Sequence, residues 1–156
     1  MVVELTRSLY TATAEAVGGR SGTVATDDGR LTALLAPPRK KAPEATNPEQ
    51  LFAAGFAACF GSALAEVAGD SGLDATTARV TCQVELGTTA TPAGYGLAVK
   101  LAVAVPGWKA ADLLPFLHKA DATCPYSQAV RGNIPVVLVA LEADASPGAE
   151  APDEDR

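Results

Sequence analysis

Three cysteines, Cys59, Cys82 and Cys124, are the residues of this 156-residue chain best suited to chemistry. They lie far apart in sequence and His118 is the only histidine. No short ligand spacing exists, so a metal site is not expected. A Cys-His or Ser-His-Asp arrangement could use no histidine but His118, which reads as an ordinary helix residue. The stretch Gly18-Gly19-Arg20-Ser21-Gly22 lacks the lysine and the spacing of a phosphate-binding loop. What remains is thiol chemistry, in which the thiolate is the nucleophile and its surroundings set how much of it forms.

Each cysteine has a structural reading beside the reactive one. Cys82 shares the apolar face of an alternating run with Val80, Val84 and Leu86. There it acts as a small hydrophobe, and buried unpaired cysteines are inert. Cys59 sits mid-helix among Phe52, Phe56 and Phe60, where core packing and nucleophile are both open. Gly55, one turn earlier, marks close approach by a backbone or ligand, because glycine inside a helix costs about 1 kcal/mol relative to alanine. Cys124 stands at the cap position of a short helix opened by Pro125. Unpaired amides and the helix dipole there favour a thiolate and a good leaving group, although a simple turn accounts for the same residues.

The elements that must position these residues follow from periodicity and punctuation. Tyr10 to Val17 is an extended run closed by Gly18-Gly19, and Thr23 to Thr26 and Leu31 to Leu35 flank the turn residues Asp27-Asp28-Gly29. Ala36 to Ala45, rich in proline and basic residues, reads as a loop. Asn47, Pro48 and Gln50 then open a helix to about Ala68 as cap, first helical residue and capping-box partner. That helix is apolar nearly all round, which predicts burial. Arg79 to Leu86 and Tyr95 to Val105 alternate as an antiparallel pair, Lys109 to about Ala122 is a second helix containing Pro115, and Ile134 to Leu141 is a last strand. The sum is an α+β domain over residues 1–145: an antiparallel sheet, a buried central helix and a second helix against it. Residues 146–156 form an acidic tail carrying half of the net charge of −6, expected to be disordered.

Composition narrows the function classes. The net negative charge offers no footprint for nucleic acid and no attraction to an anionic membrane. The N-terminus lacks the basic start and apolar run of a signal peptide, and Leu51 to Ala65 is shorter than the ~20 residues that span a bilayer. A soluble, cytoplasmic protein is expected, in a compartment that keeps thiols reduced. Only 19% of residues are charged, which suits a surface partly covered by a second subunit.

Four segments together resemble the organic hydroperoxide resistance branch of the OsmC/Ohr family: YTATAEAVGGRSG (Tyr10 to Gly22), TNPEQLFAAGFAACF (Thr46 to Phe60), GYGLAVKL (Gly94 to Leu101) and CPYSQAVRGNIPV (Cys124 to Val136). Gln128 departs from an expected asparagine and Phe56 from a common tyrosine. The resemblance implies an OsmC-like fold in an intertwined homodimer and a dithiol peroxidase acting on alkyl or lipid hydroperoxides. It maps the peroxidatic cysteine to Cys59, the resolving cysteine to Cys124, and the assisting arginine and glutamate to Arg20 and Glu49. It further implies no bound cofactor, with a lipoyl dithiol (dihydrolipoamide) on a carrier protein as external reductant. Phe52, Phe56, Phe60 and Tyr126 are candidate walls of an apolar substrate pocket. Glu49 and Cys59 are ten positions apart, about 15 Å along one helix axis, beyond a glutamate's reach. Either the helix begins later, or the Glu49 serving Cys59 belongs to the partner subunit, which makes each active site composite. The alternatives are an OsmC-type peroxidase of broader substrate range and a non-enzymatic redox-sensing module.

Overall fold

Two glycines with positive φ, Gly18 at 77° and Gly19 at 54°, turn the N-terminal chain back on itself between β1 (Ala14–Val17) and β2 (Thr23–Thr26). A side chain is strained in that region, and a Cβ at Gly22 would overlap the Val17 carbonyl, so this turn needs its glycines. Arg20 lies within it, in one 3-10 turn, exposed. The computed structural model describes residues 4–40, 42–91 and 94–143, divided between a first unit ending at Pro48 and a second beginning at Glu49. In the first unit β2 also pairs antiparallel with β3 (Thr32–Leu35). The proline-rich loop then ends in the two-residue β4 (Ala45–Thr46), parallel to β3, which its composition does not signal.

The second unit is built on α1 (Pro48–Gly69), which starts where Pro48 fits the first helical position. β5 (Arg79–Thr88) and β6 (Tyr95–Ala104) form the expected antiparallel ladder, with Cys82 opposite Leu101. α2 (Ala110–Thr123), α3 (Pro125–Val130) and β7 (Val136–Ala140) follow. β7 lies beside β6 in the order β5-β6-β7 but runs parallel to it, so the sheet is mixed rather than wholly antiparallel. The crossover through α2 and α3 makes this possible, since parallel neighbours need a long connection. The α+β class stands. The expected tail from Ser146 onward lies outside the described residues.

The core of this unit joins Phe56, Phe60 and Leu64 of α1 to Leu101 of β6 and to Leu113 and Leu117 of α2, all fully enclosed. Only one face of α1 is covered in this way. Ala54, Ala58 and Ser62 recur at helical spacing on the opposite side and are exposed. The described residues of this unit therefore do not bury the helix all round. By length and composition its 22 residues could cross a membrane, but its large side chains interdigitate with those of a sheet and a second helix, as in the core of a globular domain.

Candidate active site

α1 and the α2–α3 junction bring two cysteines together. The Cys59 and Cys124 sulfurs lie 3.5 Å apart across 65 positions of sequence, both as free thiols. Cys59 is partly exposed, whereas Cys124 has no exposed surface. Pro125 starts α3 with Cys124 at its cap, as Pro at a first helical position should. The junction is tightly held. The Cys124 N–H donates to the Ala120 carbonyl at 2.8 Å and the Gln128 N–H to the Cys124 carbonyl at 3.0 Å. Two side chains of the α3 segment reach back to α2. Gln128 Nε2 donates to the Ala122 carbonyl at 3.0 Å, and Arg131 donates to the Asp121 carboxylate at 2.7 Å and carbonyl at 2.8 Å. Gln128 thus braces the segment against α2.

Burial is the largest influence on the Cys59 thiol and pushes its pKa up, and the neighbouring Cys124 pushes the same way. The backbone N–H of Tyr126 opposes both by hydrogen-bonding to the sulfur. The Tyr126 side chain lies in an aromatic group beside the site, its ring stacked on Phe52 at 6.1 Å and tilted against Phe56 at 5.7 Å. Of the four candidate pocket residues, Phe52 and Tyr126 retain exposed surface, whereas Phe56 and Phe60 are enclosed and belong to the core.

Two vicinal thiols, one enclosed and one accessible, brought together across most of a folded unit, form the arrangement needed to make and break an intrachain disulfide. Comparison with known proteins decides the family. Residues 40–139 match the family model described as OsmC-like protein. An organic hydroperoxide resistance protein of Xanthomonas axonopodis pv. citri is 45% identical over 83% of this chain and 93% of its own. The chain belongs to the OsmC family. Within it the similarity points to the organic hydroperoxide resistance branch. The organic hydroperoxide resistance protein OhrA of Bacillus subtilis is 46% identical over 88% of this chain and 100% of its own. The crystal structure of OhrB from the same organism superposes with a TM-score of 0.78 at 38% identity, covering 85% of this chain and 98% of that one. A role in organic hydroperoxide resistance follows for this OsmC family member.

Glu49 occupies the first turn of α1, ten residues before Cys59. The helix does not begin later, so Glu49 and Cys59 of one chain stand about 15 Å apart along its axis. Arg20 belongs to the first unit, on the glycine turn. Cys82 is half-buried on β5 against the core, and burial pushes its thiol up to about 11. It is a packing residue, as its place on the alternating strand suggests. Among the described residues no group of acidic, histidine or cysteine side chains could hold a metal ion. A cavity of ≈ 500 Å³ lined by His118, Asp121, Ser127 and Arg131, among others, includes neither Cys59 nor Cys124. Sequence reasoning missed the Tyr126 N–H, because a backbone donor leaves no signature in residue type.

Proposed function

We propose that the protein is a cysteine-based peroxidase that reduces alkyl or lipid hydroperoxides to alcohols. The observation that carries this reading is the 3.5 Å approach of two free thiols. Cys59, the accessible sulfur, attacks the terminal oxygen of ROOH as thiolate. The O–O bond breaks, the departing alkoxide takes a proton and leaves as ROH, and Cys59 becomes a sulfenic acid. Cys124 attacks that sulfur, its proton leaves with the hydroxyl as water, and the Cys59–Cys124 disulfide forms. An external dithiol, of which a lipoyl group on a carrier protein is the proposed form, reopens it by exchange.

Burial works against the first step, and a cation beside the sulfur reverses its effect. Arg20 supplies that cation in this reading, aimed by a two-pronged ion pair with Glu49. The distance along α1 favours a Glu49 drawn from a partner subunit. The exposed Ala54, Ala58 and Ser62 face of the same helix offers a surface for a second copy. The working unit is then a twofold homodimer with two composite sites, in a cytoplasm that keeps the thiols reduced. Phe52 and Tyr126 give the site an apolar rim suited to organic rather than hydrogen peroxide.

The test is to reduce the protein, add one equivalent of cumene hydroperoxide and map the cysteines by mass spectrometry in wild type and Cys124→Ser. A Cys59–Cys124 disulfide in wild type and a sulfenic or over-oxidised Cys59 in the variant are expected. Cys59 remaining reduced while peroxide persists refutes the reading.

A further inference from the structure

We infer that Gly55 is a positioning residue of the dithiol site: its missing Cβ is the seat of the Tyr126 ring, and that seating fixes the Cys124 segment against Cys59. The inference rests on the reading of Cys59 and Cys124 as a working pair. A glycine seven residues into a helix sacrifices about 1 kcal/mol relative to alanine, so something must occupy the space it leaves. A Cβ built at Gly55 would lie 3.0 Å from Tyr126 Oη, 3.2 Å from Cε2 and 3.4 Å from Cζ. The first two are tighter than ordinary van der Waals contacts, and all three atoms belong to the one Tyr126 side chain.

That ring is partly exposed, but two of its sides are packed. Phe52 stacks on it with planes 19° apart and Phe56 closes it from another direction. Tyr126 is also two residues from Cys124, and its backbone acts on the Cys59 thiol, lowering its pKa. A methyl group at position 55 must therefore tilt the ring out of its stack or carry the residue 126 backbone away from α1. Either movement acts on the 3.5 Å sulfur separation. The aromatic contact and the redox contact are two ends of one lever, with Gly55 under the aromatic end.

The experiment measures the rate at which diamide, a thiol oxidant that needs no peroxidase chemistry, closes the Cys59–Cys124 disulfide. Four proteins are compared: wild type, Gly55→Ala, Tyr126→Leu and the double variant. Displacements of a few tenths of an ångström should slow closure about ten-fold in Gly55→Ala. The same substitution should change it by less than about two-fold in the Tyr126→Leu background, where no ring is left to displace. Thermal stability should not fall in parallel, because alanine improves the helix. Equal slowing in both backgrounds, or no slowing in either, overturns the inference. Should Gly55→Ala fail to fold, the double variant is expected to fold and close, and its failure to do so also overturns it. A wild type that closes with diamide yet leaves cumene hydroperoxide intact removes the peroxidase reading alone.

Discussion

Oxidation of the Cys59–Cys124 pair should raise the melting temperature, and the size of the rise reports how well the two thiols are placed beforehand. The crosslink joins positions 65 apart, which takes about 4 kcal/mol of conformational freedom from the unfolded chain. For a chain of this size each kcal/mol moves the midpoint by about 2–4 °C, giving a ceiling of about 8–16 °C. The sulfurs begin 3.5 Å apart and must approach to about 2 Å. That short closing movement should leave the gain below the ceiling but well above zero. The assay is scanning calorimetry of reduced protein and of protein oxidised with one equivalent of hydroperoxide, with Cys124→Ser as the control in which no loop can close. A rise of about 4 °C or more in wild type, absent from Cys124→Ser, is expected. Oxidised wild type melting with or below the reduced form would mean that closure distorts the native state by as much as it restrains the unfolded one. The claim that the folded chain presets the pair would then be wrong.

Mixing Cys59→Ser with Glu49→Gln subunits should restore about a quarter of wild-type activity through random hybrid dimers, each carrying one intact composite site; no recovery after subunit exchange places Glu49 and Cys59 in the same chain. Arg131→Leu removes a charge-assisted brace between α3 and α2, and because Arg131 is half-exposed the loss of stability should be only about 0.5–1 kcal/mol, read by urea unfolding. Its effect on disulfide closure should exceed its effect on peroxide attack, and equal slowing of both steps contradicts a brace acting on Cys124. Cys82 has a folded pKa raised to about 11 from an ordinary 9.0, so its contribution is complete below pH 9 and is lost as pH rises towards 11. Cys82→Val should flatten that part of an alkaline stability profile and leave peroxide turnover unchanged, which unfolding curves between pH 8 and 11 can check.

The parts legible in the sequence are those set by neighbours in the chain. Asn47-Pro48 places the start of α1 because a proline at the first helical position acts locally. Alternation from Val80 to Leu86 and from Leu97 to Val105 defines two strands, but a period of two carries no direction, so the parallel setting of β7 was not visible. The approach of Cys59 to Cys124 across 65 positions is likewise beyond periodicity, and motif resemblance rather than pattern paired them. Gly55 shows the difference within one residue. Its energetic cost announces that something approaches, while only the fold reveals that the visitor is the Tyr126 ring. The apolarity of α1 is legible in the sequence, yet composition does not say how many of its faces one unit can cover.

That uncovered face bears on the chemistry. Within the second unit, burial and the nearby Cys124 hold the Cys59 thiol above its ordinary pKa, against the opposing N–H of Tyr126. A thiol held in its protonated form is slow to oxidise adventitiously and poorly suited to attack a peroxide. A cation near the sulfur changes both properties at once. If composite sites bring Arg20 and Glu49 to Cys59 only on assembly, then association of two chains along α1 both covers an apolar helix and converts a shielded thiol into a nucleophile. Reactivity then follows dimer population, so dilution through the dissociation range should slow alkylation of Cys59 at neutral pH while leaving Cys82 unaffected. A constant Cys59 rate across that range would require its activating charge to lie within one chain.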